Sequence, residues 1–221
     1  MICAMIPARM GSQRLKKKNL RELAGVPLIT RAIRRCKDAG VFDEIWVNSE
    51  HEAFSDIAAA EGVQFHKRPE HLGDNHATSE DYIADFLEKV PCNYLVQVHS
   101  IAPLLTSPEI RAFVAAVQEC DFDCLFAVEN IQIECVFHNR PVNFTFSEKT
   151  NSQDLDPVQR ISWSISAWKR RAFLAAVDEG RCATFSGTIA YYPISSLAGH
   201  IIKTEDDLRI AEALLPLVSN V

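Results

Sequence analysis

Residues 2–21 read Ile-Cys-Ala-Met-Ile-Pro-Ala-Arg-Met-Gly-Ser-Gln-Arg-Leu-Lys-Lys-Lys-Asn-Leu-Arg. The first five form a short, unbroken apolar run, the pattern of a central parallel strand buried on both faces. The loop that follows carries Arg9, Arg14, Lys16, Lys17, Lys18 and Arg21, with no acid before Glu22. Ligands of open α/β sheets bind beyond the carboxyl ends of the strands. Gly11 and Ser12 permit a tight turn with exposed backbone N–H groups, which is how a phosphate nest is built. Arginine adds a bidentate fork and lysine a point charge. The loop matches neither GxxxxGK[ST] nor GxGxxG, so a Walker-type NTPase and a dinucleotide-binding fold are disfavoured.

Outward from this loop, strand and helix alternate. Pro27 opens a helix that Gly40 stops after Ala39, and Glu44 to Asn48 reads as a strand. A helix over Glu52 to Glu61 closes at Gly62, and Val63 to His66 is the next strand. Ser79 is expected to cap a helix to about Val90. Tyr94 to His99 is a strand, and Ser107-Pro108 starts a helix to about Cys120. Asp123 to Val128 completes a βαβαβαβαβ series, which predicts a mostly parallel open sheet with helices on both faces. After about residue 129 the rhythm breaks. Ile131 to Phe137 and Val142 to Phe146 read as strands around Asn139-Arg140-Pro141, so 130–160 is a strand excursion, either for dimerisation or as a lid. Ile161 to Ala167, Lys169 to Asp178 and Thr188 to Tyr192 read as strand, helix, strand. A last helix runs from Thr204 to Leu217, with Thr204 and Asp207 as its capping box.

The chain has 221 residues, with 23 Lys and Arg against 29 Asp and Glu. A net charge of -6 disfavours general nucleic-acid binding and makes the basic loop a local feature. No apolar stretch approaches the roughly 20 residues of a membrane span. Met1 to Ile6 is too short for a signal core and has no basic leader, so a cytoplasmic protein is expected. Seven scattered cysteines with no CxxC are expected to be buried free thiols, including the close pair Cys120 and Cys124.

Ile6 to Leu20, followed by Gly25-Val26-Pro27-Leu28-Ile29, resembles the signature of the CMP-sugar synthetases. These are the acylneuraminate cytidylyltransferases and, more distantly, the 3-deoxy-manno-octulosonate cytidylyltransferases. Further patches at Arg68-Pro69, at Pro103-Leu104 and at Thr204 to Leu208 extend the likeness over most of the chain. The resemblance implies a single-domain nucleotidyltransferase fold over 1–221 that transfers CMP from CTP to a sugar acid and releases pyrophosphate. It also implies a homodimer formed through the excursion. By this likeness Arg9, Ser12 and Lys18 hold the triphosphate beside Ala8, and Asn19 contacts the ribose and nucleoside. Arg68, Ala77 and Ser79 meet the cytosine. Mg²⁺ is expected to arrive on the CTP phosphates, with no protein ligand identified.

Three departures bear on the chemistry. The family Gln that contacts the sugar is His99 here. The family Asp that binds metal before the last helix is Lys203, which cannot ligate Mg²⁺ but can place an ammonium beside the α-phosphate. The stretch Gln159 to Trp168 lacks the family Asn-Gly, leaving Arg160 to meet the sugar carboxylate. The catalytic set is therefore Arg9, Lys18 and Lys203, and the acceptor set His99 and Arg160. The alternative is a catalytically weak homologue that binds CTP or a CMP-sugar without turnover.

Overall fold

The computed structural model describes residues 1–119 and 121–218. Seven strands make one sheet: β1 Ile2–Pro7, β2 Glu44–Ser49, β3 Gln64–Lys67, β4 Tyr94–Val98, β5 Cys124–Ile131, β6 Val158–Lys169 and β7 Ile189–Pro193. Their order is β7-β5-β6-β4-β1-β2-β3. Every pairing is parallel except those of β6, which runs antiparallel to both β4 and β5. The sheet is thus mostly parallel, with one strand reversed after the excursion. Among the described residues six helices accompany it: α1 Leu28–Ala39, α2 Ala53–Glu61, α3 Ser79–Lys89, α4 Ser107–Glu119, α5 Arg170–Asp178 and α6 Glu205–Val218. Among the described residues no helix is long and apolar enough to cross a membrane.

Alternation along β1 divides the core. Ile2, Ala4 and Ile6 pack with Ile29 and Ile33 of α1, Phe54 of α2 and Phe113 of α4. Cys3 and Met5 face the other way, against Ile83 and Phe86 of α3 and Phe173 of α5. A third cluster joins Leu15 of the basic loop to Leu28, Leu104, Ile202 and the α6 residues Leu208 and Ala211. Burying a leucine side chain contributes about 1.5–3 kcal/mol, so Leu15 anchors an otherwise polar loop.

Three helices start one residue away from a Thr-x-x-acid box. Thr78 Oγ1 accepts from Asp81 N, Thr106 Oγ1 from Glu109 N and Thr204 Oγ1 from Asp207 N, each at 3.3 Å. The acid carboxylate in turn accepts from the backbone N–H of its threonine. This corrects the caps assigned to Ser79 and Ser107, which are the first helical residues instead. The threonine wins because only it has a carboxylate three residues on.

The expected strands at Ile131 to Phe137 and Val142 to Phe146 are mostly absent. Strand β5 ends at Ile131, and the excursion retains one small pair, Val136–Phe137 with Arg140–Pro141. His138 and Asn139 turn between them at φ 48 and 61. Asn143 ties the arm together, donating to Ile133 O and Asp156 O while accepting from Cys135 N. Strand-favouring side chains there have no sheet to join, because β5 and β6 already pair with each other. Cys3, Cys36, Cys92 and Cys124 are buried free thiols, whereas Cys182 is exposed. Cys120 lies outside the described residues.

Candidate active site

The site begins where β1 ends. Ala8 N donates to Asn48 O at 2.9 Å, carrying the chain past the sheet edge. Arg9 Nη1 then reaches Asp74 O at 2.7 Å. Met10 N donates to Glu50 Oε1 at 2.8 Å. Asn19 returns to the start of the loop: its Nδ2 donates to Arg9 O and its Oδ1 accepts from Ser100 Oγ. Lys17 turns left-handed at φ 50, and the short 3-10 turn Lys18–Leu20 follows. Arg21 closes the loop with a bidentate pair to Glu205 at 2.7 and 2.9 Å. One of the six cations is therefore held by α6.

Ala8, Arg9, Ser12, Lys18, Asn19, Arg68, Ala77 and His99 line one cavity of about 280 Å³. Eight of the residues singled out from sequence thus converge. Ser79 does not line it. Arg160 and Lys203 line a second cavity of about 320 Å³, with Ser162, Trp163, His200 and Asp207. Ile202 lies between them: Lys18 Nζ of the first cavity donates to Ile202 O at 3.2 Å, and Lys203 of the second is the next residue. His99 and Arg160 therefore stand in different cavities.

Charge in the first cavity is concentrated. Burial, and then the nearby Arg14, Arg9 and Lys203, hold the Lys18 ammonium below the ordinary lysine range. An arriving polyanion relieves this repulsion. Asp74 is the opposing carboxylate, held low by N–H bonds from Ala77 and His76. Its Asx turn shapes the wall that includes Ala77. Arg68 is almost fully buried, with Nη2 on Ala8 O at 3.0 Å and on Glu50 Oε2 at 2.9 Å. Its guanidinium carbon lies 4.8 Å from the centre of the Tyr82 ring. The Arg68 fork is thus already engaged within the protein.

Tyr82 and Asp74 were not singled out from sequence. Tyr82 carried a readable signal, one turn before Phe86 on the sheet-facing side of α3.

Gln97 Nε2 donates to His99 Nε2 at 2.5 Å and to Tyr82 Oη at 3.1 Å. Burial and then Lys18 lower the His99 imidazole from 6.5 to about 4. His99 is therefore neutral at physiological pH. Because its folded value is depressed, the unfolded chain binds more protons between pH 4 and 6.5. Stability from this group is present above 6.5 and lost as pH falls toward 4, with a ceiling of roughly 3 kcal/mol. Urea unfolding should show His99→Gln losing less stability than wild type between pH 7 and 4.5. Parallel pH profiles would show that His99 is not held neutral.

In the second cavity, the Arg160 guanidinium pairs with buried Glu129. Gly199 lies against the same carboxylate, and a Cβ there would sit 1.7 Å from Glu129 Oε1. Asp207 Oδ2 accepts from Lys203 N, Thr204 N and Thr204 Oγ1, which together hold its carboxyl low despite burial. That carboxylate is a helix cap. Among the described residues no three His, Cys, Asp or Glu side chains gather to hold a metal ion.

Comparison with known proteins places the chain in a family. The chain is 33% identical over 132 residues to N-acylneuraminate cytidylyltransferase A of Danio rerio, covering 58% of this chain and 30% of that protein. It is 28% identical over 164 residues to the pseudaminic acid cytidylyltransferase of Campylobacter jejuni, covering 68% and 71%. The chain spans a third to a half of the vertebrate relatives it matches: 30% of the Danio rerio A protein, 36% of its Oncorhynchus mykiss counterpart and 50% of the Danio rerio B protein. In fold it matches the CMP:2-keto-3-deoxy-manno-octonic acid synthetase solved with CTP, at a TM-score of 0.73 and 16% identity over 98% of both chains. The profile of the family described as Cytidylyltransferase matches residues 3–194, from β1 through the end of β7. That span contains the whole basic loop and every residue lining its cavity, and on it the chain belongs to the cytidylyltransferase family.

Proposed function

We propose that the protein transfers CMP from CTP to a sugar acid of the nonulosonic type and releases pyrophosphate. The observation that carries this reading is one cavity, floored by the β1 loop, that gathers Arg9, Ser12 and Lys18 opposite Ala77 and Tyr82. The triphosphate lies along the loop, where Arg9 and Lys18 neutralise its charge and Ser12 donates a hydrogen bond. Such placement of fixed cations is the main protein contribution to phosphoryl transfer. Cytosine lies against the wall formed by Ala77 and Tyr82, with Arg68 as its support. The acceptor enters through the second cavity, its carboxylate on Arg160 and its reacting end toward Lys18 and His99. Its anomeric oxygen attacks the α-phosphorus. A P–O bond forms there while the bond to the β-phosphate bridging oxygen breaks, pyrophosphate leaves and the hydroxyl proton goes to solvent. Lys203 supplies a cation at the junction. Asn19 holds the loop through Arg9 O and Ser100 Oγ, and its second amide N–H meets the ribose from the cavity wall.

Titration calorimetry tests the nucleotide assignment. CTP should bind at least tenfold more tightly than ATP or GTP, because a purine overfills the pyrimidine wall. Equal affinities would remove the cytosine assignment while leaving the phosphate loop intact.

The working form is a two-fold dimer joined through the excursion. Phe137 is 68% and Phe146 74% exposed, and Ile133, Val136 and Val142 are more than half exposed beside them. No residue of 131–157 lines either cavity, which favours a partner surface over a lid. So many large apolar side chains exposed on one arm mark an interaction site, and two-fold pairing is its commonest use. Sedimentation at micromolar concentration should give twice the mass of one chain, and Phe137→Asp with Phe146→Asp should halve it. A wild-type mass of one chain would contradict the dimer.

A further inference from the structure

Glu50 follows β2 and has no role in the reading above. It is half of a nearly dry ion pair, with 12% of its side chain exposed and 2% of that of Arg68. Its two oxygens face different parts of the site. Oε1 accepts from Met10 N in the phosphate loop, and Oε2 accepts from Arg68 Nη2. Arg68 in turn holds Ala8 O and lies over the Tyr82 ring, while its Nε is buried without a partner. Behind the carboxylate stands Gly73, in the segment that leads to Asp74 and Ala77. A Cβ on Gly73 would lie 2.4 Å from Glu50 Cδ and 2.5 Å from Cγ. Such a contact is relieved only if Glu50 moves, and its two hydrogen bonds pin it.

A single carboxylate therefore touches the phosphate loop through Met10, the nucleobase wall through Arg68, and the loop between them through Gly73. We propose that Glu50 is a positioning residue that sets the phosphate loop and the nucleobase wall at the spacing one CTP molecule requires, with Gly73 as its obligate small neighbour. This inference rests on the reading that the cavity takes CTP.

Buried ion pairs contribute little net stability as a rule, yet removing one partner leaves a costly uncompensated charge. A role in spacing gives the pair a reason to exist. Glu50→Gln separates its two functions. The amide oxygen still accepts from Met10 N, whereas the amide N–H₂ meets the Arg68 donors and breaks that tie. Gly73→Ala keeps both charges but pushes the carboxylate aside.

Calorimetry with two ligands distinguishes spacing from general structural support. Tripolyphosphate engages only the phosphate loop, and CTP spans both halves. Under this proposal Glu50→Gln and Gly73→Ala each weaken CTP by about tenfold or more, and Glu50→Gln leaves tripolyphosphate within about twofold of wild type. The charge-balanced double variant Glu50→Gln with Arg68→Gln should recover thermal stability without recovering CTP affinity. It keeps the test valid if Glu50→Gln alone fails to fold. The proposal is overturned if CTP affinity stays at the wild-type level in the folded variants, if both ligands weaken by the same factor, or if the double variant regains CTP binding along with stability. Wild-type protein that binds tripolyphosphate but not CTP would instead overturn the CTP reading, and this inference with it.

Discussion

Lys18→Ala weakens CTP binding by roughly 10- to 150-fold, the range expected for removing one hydrogen bond to a charged partner. Arg9→Ala has an effect of the same order. Both side chains line the cavity, but Lys18 occupies the harsher environment, partly buried and repelled by Arg14, Arg9 and Lys203. That repulsion is a cost carried by the empty site and relieved by a polyanion. Lys18→Ala should therefore leave the thermal midpoint of the free protein unchanged or raised, even as CTP affinity collapses. The sign of the pKa shift gives a second readout. Lys18 loses its proton at a lower pH than an ordinary lysine when the site is empty, and a bound triphosphate raises its value again. Wild-type protein should take up protons on binding CTP under alkaline conditions, and Lys18→Ala should take up fewer. Unchanged CTP calorimetry in both Lys18→Ala and Arg9→Ala would mean that the loop does not hold the phosphates.

The second large effect concerns Lys203, at the junction of the two cavities. Lys203→Asp removes a cation from the Lys18 neighbourhood and installs a carboxylate. Opposite unit charges about 4 Å apart interact by ~1–4 kcal/mol at effective dielectrics between 80 and 20. CTP binding in chelator should weaken by at least fivefold, and Mg²⁺ should bind the CTP complex of the variant correspondingly more tightly than that of wild type. The variant acid has no cap to serve, unlike Asp207, whose oxygen is engaged by Lys203 N and Thr204. Coincident Mg²⁺ titrations of the two CTP complexes would show that position 203 does not face the triphosphate.

How legible each part was depended on the range of the contacts that define it. Strand β1 and its loop were readable because apolar continuity and charge clustering are local. The boxes at Thr78, Thr106 and Thr204 are equally local: the acid three residues on fixes the cap at Thr78 and Thr106 rather than at the serine that follows each. Val142 to Phe146 failed for a different reason. Its side chains favour a strand, but a strand needs a neighbour, and the strands on either side of it in sequence, β5 and β6, are interior and already paired. Glu50 was not legible, because its partners Met10 and Arg68 lie 40 and 18 residues away and nothing adjacent marks it. Arg160 itself was legible, but its separation from His99 was not: that is set by the reversal of β6 and the packing of the 199–203 segment beside it.

Pyrophosphate release tests the central claim most directly. Purified protein is incubated with CTP, Mg²⁺ and each member of a panel of 2-keto sugar acids, including N-acetylneuraminic, pseudaminic and 3-deoxy-manno-octulosonic acids. The account predicts release that requires both CTP and one class of nine-carbon acid, with a matching CMP-sugar seen by mass spectrometry. CTP that binds but yields no pyrophosphate with any acceptor would contradict it, and would identify the protein as a nucleotide binder without turnover.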